Sequence, residues 1–590
     1  MGVLAATPAR GAEPPPLPSA ADCISTFNTI QSWVRDWTVS HEAQPIDPPG
    51  TTGACVTLRL GGRVLGRGTS FADDRVAAWR AAREAFVQAV ESLPVEEDAL
   101  RARRIEEMTP RVTLDIQFSG RLTPLLIEDE SAMAHLIAPG VEGLAARIGA
   151  RIEGVFPGAM LSTGTTAVDG LRVAMSRLNL PPRPLPELKR STDLVVYRFS
   201  VRHLAQPREQ AAPEFLFRGG RVISSSEVTG SRLREAAAAI SAHLVSHAWP
   251  GVEPCGMTGD YRPLIDRYEP MIAEPLEQAA CAFALARYAT TPGIAERDAS
   301  RARRFAAEIL DRLTAIAPDE KDPADDPIAS GMWLAAHDAL RESGVPDTAP
   351  SEFKERVLAT LLRTVTMRDG SFEWTADAPI AGRGVLALAL ASVARHDDSK
   401  RALAVATVRS LYRDTEAARL VSEMPWLGWA ELALTERNDE LPSAVALIEM
   451  RRAATNFQLK EEDLDANEAD LLGGTVFTRS RAPLPTWNSL RPAAFFATML
   501  GDPRMTPAAE VLPELSRLRA SLRFLLQLMI DDPVLHMYRD RERSIGGVRP
   551  AVWEQSAALE PAAMALLTLS EALRAMDARS PRGAPPAGSP

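Results

Sequence analysis

Gln278 to Leu313 reads QAACAFALARYATTPGIAERDASRARRFAAEILDRL, and two kinds of helix follow one another within it. From Gln278 to Tyr288 nearly every position is apolar, so no face is left for water and the helix must be buried. Further on, Phe305, Ile309, Leu313 and Ile316 share one face, with Arg303, Glu308 and Arg312 on the other. A striped helix of this kind lies at a surface and turns its stripe inward.

The alternation recurs down the rest of the chain. Met332 to Leu340, Gly384 to Ala394, Ala493 to Leu500 and Ala562 to Leu573 are apolar nearly all round. Phe353, Val357, Leu361 and Val365 form a stripe against Lys354 and Arg356. Buried helices alternating with surface helices predict an inner and an outer ring, an α/α toroid of five or six helical hairpins over residues 263–576. Glycine and aromatic residues open the inner helices irregularly, as in Gly331-Met332-Trp333, Gly370-Ser371-Phe372-Glu373-Trp374, Pro425-Trp426-Leu427-Gly428-Trp429 and Pro485-Thr486-Trp487. A helical bundle without a ring is the competing arrangement.

Upstream the periodicity is mixed. Phe27, Ile30, Val34 and Trp37 are spaced for one helix face. Ala54 to Leu60 reads as a strand, Gly61-Gly62 as a hairpin turn, and Arg63-Val64-Leu65 as the start of the partner strand. Val76 to Leu93 follows as a helix. Val112 to Phe118 alternates strictly, as a half-buried strand does. Further strands are expected at 150–156 and 194–201, and further helices at 168–178 and 231–247. Residues 23–205 therefore read as an α/β (α+β) domain and 206–262 as a strand, hairpin, helix and linker. The Pro- and Ala-rich residues 1–22 and the Pro-, Gly- and Ser-rich 577–590 read as disordered ends. The expected class is multidomain, an α/β region followed by an all-α toroid.

The order of the N-terminal elements resembles the AMMECR family, the AMME-syndrome candidate-region proteins, over about residues 25–205. The likeness lies in Val56-Thr57-Leu58, the Gly-Gly turn, Leu65-Gly66-Arg67-Gly68-Thr69, Leu114-Asp115-Ile116, Pro139-Gly140-Val141-Glu142-Gly143-Leu144 and Gly154-Val155-Phe156-Pro157. The family's Arg-Gly-Cys-Ile-Gly run is here Gly66-Arg67-Gly68-Thr69, without the cysteine, so no role of that cysteine carries over. The resemblance implies a fold more than a chemistry.

Composition removes several functions. With 66 basic against 77 acidic side chains the chain carries a net charge of −11, a poor match to phosphate backbones. No nucleic-acid partner is therefore expected. No apolar run is long enough for a transmembrane segment. The N-terminus lacks a basic region and Pro8 interrupts its apolar patch, so as written it reads as cytoplasmic, with export the alternative if it is a shortened signal peptide. Cys23, Cys55, Cys255 and Cys281 form no C-x-x-C pair. His243 and His247 share a helix face but lack the Glu of an H-E-x-x-H motif, and read better as a surface or helix-end pair than as metal ligands. Gly382-Arg383-Gly384-Val385-Leu386-Ala387 matches G-x-G-x-x-A without a preceding strand, so close helix packing explains it better than a dinucleotide. No cofactor and no metal are called for.

What remains is the toroid mouth. Trp333, Trp374, Trp426, Trp429, Trp487, Trp553 and, before the ring, Trp249 lie in or near the openings of inner helices, in the company of Asp338, Glu373, Asp377, Glu431, Asp470, Glu554 and Glu560 and of Arg383, Arg491 and Arg549. Indole faces stack on sugar C–H faces, and paired carboxylates serve as general acid and base or as acid and nucleophile. The leading expectation is a carbohydrate-active or carbohydrate-binding toroid, a glycan hydrolase, lyase or epimerase if it is an enzyme. Asp338, Glu373, Glu431 and Glu554 are its acids. Trp333, Trp374, Trp426, Trp429, Trp487, Arg383 and Arg491 are its binding residues. Tryptophans that pack hairpin tops and acids that cap helix N-termini would give the same pattern. A non-catalytic scaffold that binds a protein partner is the alternative, and a terpenoid-cyclase-like toroid, without a D-x-D-D motif, a distant third.

Overall fold

The strict alternation of Val112–Ser119 builds a strand, and all eight of its residues are buried rather than every second one. The reason lies in the sheet around it. The computed structural model describes residues 17–579 except 73, 95–96, 128, 254, 316–321, 369–370, 436–438, 466 and 478–483. Its strands β1 (Gly53–Leu60), β2 (Arg63–Phe71), β3 (Val112–Ser119), β4 (Thr123–Pro124), β5 (Glu142–Ile148), β6 (Arg151–Val155), β7 (Val195–Ala205) and β8 (Glu214–Leu216) form one antiparallel sheet. The order is β2-β1-β3-β7-β5-β6, with β4 and β8 on β7. The end strands β2 and β6 come back into contact, so the sheet nearly closes.

One face of the sheet is apolar. Val56, Leu58, Leu114, Ile116 and Phe118 pack under helices α1 (Ala20–Asp36) and α2 (Ala77–Glu91). A second apolar group on β5 and β7 lies against α3 (Ala167–Arg177). The opposite residues, Thr57, Arg59, Thr113, Asp115, Gln117 and His203, are polar and also buried. Near-closure turns this polar face inward. Phe71, Phe156 and Phe199 fill the rest of that interior, with ring centroids 4.9–5.6 Å apart.

The Gly66-Arg67-Gly68-Thr69 stretch has a mechanical explanation. A Cβ on Gly68 would stand 1.9 Å from the Ala81 carbonyl oxygen, and one on Gly66 2.0 Å from that of Ala85. Both oxygens belong to the backbone of α2, which lies directly on β2. Gly68→Ala must therefore push a whole helix, and it is expected to cost about 3 kcal/mol. An unshifted urea midpoint for this variant would show that α2 is free to move away.

The described residues divide into two compact units, 17–221 with 532–537, and 222–531 with 538–579. The boundary divides the 206–262 segment between them. In the second unit the helices are α4 (Gly230–Ser246), α5 (Pro275–Ala289), α6 (Glu296–Thr314), α7 (Pro327–Glu342), α8 (Ser351–Arg363), α9 (Arg383–Ala394), α10 (Arg401–Asp414), α11 (Trp426–Leu434), α12 (Ala444–Thr455), α13 (Leu490–Gly501), α14 (Val511–Leu528) and α15 (Leu559–Arg579). The odd-numbered ones from α5 are the helices apolar nearly all round. α5 packs on α7, α7 on α9, α9 on α11, α13 on α15, and α15 again on α5. Trp429 of α11 joins α13 by donating from Nε1 to Thr498 Oγ1 at 3.0 Å. Five of the even-numbered helices each pack against one of them, α6 on α5, α8 on α7, α10 on α9, α14 on α13 and α4 on α15.

Several expectations change. The 353–365 stripe ends as helix at Arg363, and Val365–Arg368 pairs with Ser371–Trp374 in a ribbon. A second ribbon joins Tyr261–Arg262 to Arg267–Tyr268, so strands persist beyond 260. Ile316 and Gly370 lie outside the described residues, as do 1–16 and 580–590 of the expected disordered ends; Ala20, Ala21 and Asp22 are helical, and so are Asp577–Arg579. Gly384 sits where a Cβ would meet the Glu423 carbonyl oxygen at 2.5 Å, in keeping with close helix packing. All four cysteines are free thiols, with Cys23, Cys55 and Cys281 buried. Among the described residues no helix is long and apolar enough to cross a membrane.

Candidate functional site

The stretch Glu274-Pro275-Leu276-Glu277 starts α5. Pro275 takes a first-turn position where no N–H is needed. The Glu274 backbone N–H donates to Glu277 Oε2 at 3.0 Å, one half of a capping box. At the start of α15, the Leu559 N–H donates to Asp260 Oδ1 at 2.9 Å. Asp260 is held there because its neighbour Tyr261 exchanges two backbone hydrogen bonds with Ala557, each 2.9 Å. Glu560 lies in the first turn of α15. Two adjoining helices thus begin among Asp260, Glu277 and Glu560.

A helix N-terminus ordinarily stabilises a carboxylate and lowers its pKa. Here all three are raised. Burial raises Asp260 against the pull of the Leu559 N–H and of Arg262. Burial raises Glu277 against the Glu274 N–H, and the charges of Asp260, Glu560 and Glu274 add to the rise. Glu560 is exposed, yet partial loss of water still raises it, with Arg491 opposing and Asp260 assisting. Loss of water and mutual repulsion outweigh the helix ends. Carboxylates that interact this way are the usual source of an acid and a base in one site.

Glu554 joins this group through Arg262, which interacts with both Asp260 and Glu554; desolvation raises Glu554 as well. Arg491 opens α13 and faces Glu560. Trp487, half-buried, donates its backbone N–H to Pro550 O at 2.8 Å, on the segment that leads to α15.

The other sequence candidates lie elsewhere. Asp338 is buried in the last turns of α7 and accepts from His396 Nε2 at 2.7 Å and Arg395 Nη1 at 3.1 Å. Glu431 is buried in α11, where its Oε1 accepts the Ser443 N–H at 2.9 Å; burial raises its pKa. Glu373 is exposed on the ribbon. Trp333 is fully buried, stacked on His337 at 5.0 Å and edge-on to Phe353. Trp426 and Trp429 are buried against each other and against Phe283. A buried indole offers no face to a solvated sugar. Trp374 is half-buried, with the Arg383 guanidinium 4.9 Å above its ring.

Sequence reasoning missed Asp260 and Glu277. The Glu-Pro-x-Glu signature ahead of an apolar run marked Glu277 as a cap. Nothing local marked Asp260, whose place depends on a bridge to Ala557.

His243 and His247 are buried, not on the surface. Their Nε2 atoms lie 3.2 Å apart, while Nδ1 of His243 faces Arg543 O and that of His247 faces Gly259 O. Burial lowers His247 to about 4 and His243 well below its ordinary value. A separate trio, Asp115, His203 and His536, places one potential ligand atom each within 4.8 Å of the others.

No family model matches the chain, and no curated protein matches it. Similar solved structures include the uncharacterized protein PH0010 from Pyrococcus horikoshii, at 15% identity and a TM-score of 0.24, covering 33% of this chain and 95% of that one. They also include an inactive variant of the α-1,6-mannanase GH76A of Salegentibacter sp. HEL1_6 in complex with α-1,6-mannotetrose. That likeness has 11% identity and a TM-score of 0.39, and covers 58% of this chain and 98% of the mannanase. Both likenesses are loose.

Proposed function

We propose that the second unit is an α/α toroid and that the starts of α5 and α15 form a glycan-processing site. The run of contacts among the apolar helices, completed between α11 and α13 by the Trp429–Thr498 hydrogen bond, with amphipathic helices against α5, α7, α9, α13 and α15, supports the toroid. The observation that carries the function is the trio of raised carboxylates, Asp260, Glu277 and Glu560, at adjoining helix starts. A glycosidic oxygen leaves only when protonated, which calls for a carboxylic acid held above its usual range beside a second carboxylate. Glu560, raised yet accessible, is the proton donor in this reading. Asp260, oriented by the Leu559 N–H, is its basic or nucleophilic partner. Arg491 and Trp487 would hold the sugar. The AMMECR-like reading of the first unit is retained, supported by the run of α1, the Gly61-Gly62 hairpin, the two glycines under α2, and β3.

The test is release of reducing ends from a panel of polysaccharides, an α-1,6-linked mannan among them, by the full chain. The expected result is cleavage of one member and its loss in Glu560→Gln, by about 10²–10⁴-fold. Cleavage that survives in Glu560→Gln and Asp260→Asn would overturn the site. Binding of a glycan without cleavage would point to a binding protein, and neither binding nor cleavage to a scaffold.

A further inference from the structure

We propose that Asp115, His203 and His536 form a zinc-binding site on the inward polar face of the first unit's sheet, and that the ion fastens the segment Asp532–Met537 to that sheet. This goes beyond the glycan reading and does not depend on it.

The placement follows from strand register. Thr57 lies opposite Asp115 across β1 and β3, and Gln117 lies opposite His203 across β3 and β7. Arg59 and His203 are thus the diagonal neighbours of Asp115 on its own face, the spacing at which long side chains meet. Asp115 accepts from His203 Nε2 at 2.7 Å through Oδ1, and from Arg59 Nη2 at 3.1 Å through Oδ2. His536 comes from the single turn Val534–Met537. Its ring stands at 72° to that of His203, with centroids 6.1 Å apart. All four side chains are at most 8% exposed.

His536 meets Asp115 only at long range, 3.7 Å from Nε2 to Oδ2. Its Nδ1 lies 3.1 Å from Pro533 O, which can only accept, so Nδ1 carries the proton. Nε2 is then a bare lone pair, and it faces Asp115 Oδ2 at 3.7 Å, beyond hydrogen-bond range. Two buried acceptors facing each other repel unless a proton or a metal ion lies between them. A proton would leave a gap of 3.7 Å, too long for a hydrogen bond, whereas a metal ion would fill it.

A zinc ion answers both points. With bonds of about 2.0–2.1 Å to nitrogen and oxygen, it needs ligand atoms roughly 3.3 Å apart. The three atoms here all fall within 4.8 Å of one another, on either side of that value. His203 would exchange its hydrogen bond to Asp115 for a bond to the metal. One carboxylate oxygen would ligate while the other stays with Arg59. The His536 Nδ1–H to Pro533 O is the outer hydrogen bond that orients a ligating imidazole. Three protein ligands leave the fourth position to water.

The test uses the full chain, stripped with a chelator and dialysed, then titrated with zinc chloride. Uptake of one equivalent is expected, with a higher melting temperature, since an ion that binds only the folded state stabilises it. His203→Gln and His536→Gln are each expected to weaken uptake by about a hundredfold or more, beyond what loss of an outer partner costs. His243→Gln, at the other buried histidine pair, should leave it unchanged. X-ray absorption at the zinc edge of the unmodified protein should show two imidazoles and oxygen, without sulfur, and decides the matter even if the variants fail to fold. No uptake, uptake indifferent to both variants, uptake lost in His243→Gln, or a sulfur ligand would each overturn the site.

Discussion

Glu277→Gln is expected to melt at a higher temperature than the parent at pH 7. In the folded chain burial, with the charges of Asp260, Glu560 and Glu274, raises the Glu277 pKa above its unfolded value of about 4.3. Between those two values the folded state holds more protons than the unfolded one, so stability falls as pH rises through that window. Above that window the folded chain carries the full cost of an unfavourable charge; below about pH 4 both states are protonated and the cost vanishes. Glutamine removes the charge and keeps an oxygen for the Glu274 N–H, so it removes the cost and spares the cap. The variant's advantage should therefore be present at pH 7 and shrink toward pH 4. Melting curves at the two pH values decide it. A constant difference, or a variant less stable at pH 7, would mean that the carboxylate is structural and that the acidic cluster is not poised for proton transfer.

The largest loss of stability is expected at Arg523 on α14, a residue with no part in the proposed chemistry. It is 1% exposed, and its five N–H groups are all engaged. Nε donates to Ile223 O at 2.7 Å, Nη1 to Asp470 O at 2.7 Å and Leu472 O at 3.2 Å, and Nη2 to Ala469 O at 3.1 Å and Gln527 Oε1 at 3.2 Å. One planar group thereby ties three separate stretches of chain. Burial lowers its pKa to about 10, so it remains charged at neutral pH. Arg523→Leu strands four carbonyl oxygens away from water, and about 3–5 kcal/mol should be lost. Arg523→Lys should recover little of it, because a single ammonium does not span carbonyls on both sides. The check is the midpoint of urea unfolding followed by far-UV circular dichroism. A midpoint unchanged in Arg523→Leu would mean that water replaces the guanidinium at those carbonyls.

What is legible in the sequence and what is not divide along a physical line. Burial of a helix on all sides is written in its own residues, because every position must avoid water. Gln278–Tyr288 and Gly384–Ala394 are therefore legible as buried helices, and Phe305, Ile309 and Leu313 as a stripe. Alternation in Val112–Phe118 likewise marks a strand. It does not show what lies on the polar side. A polar residue on a strand is equally at home facing water or facing a partner, and near-closure of the sheet turns Asp115 inward toward Arg59 and His203.

The site divides in the same way. Glu560 and Arg491 stand close in sequence to aromatic residues at helix starts, which is a local signal. Asp338, Glu431, Trp333, Trp426 and Trp429 have the same composition around them, but helix register places them in packing and ion pairs. Asp260 has no local signal at all, since its position is set by hydrogen bonds to Ala557, some three hundred residues away. His536 reaches Asp115 over a still longer stretch of chain. Sequence alone determined which segments avoid water, because that follows from each segment's own side chains. Which charged groups meet was decided only by the tertiary structure, because Coulomb and hydrogen-bond partners are chosen by distance in space, and neighbours along the chain carry no record of it.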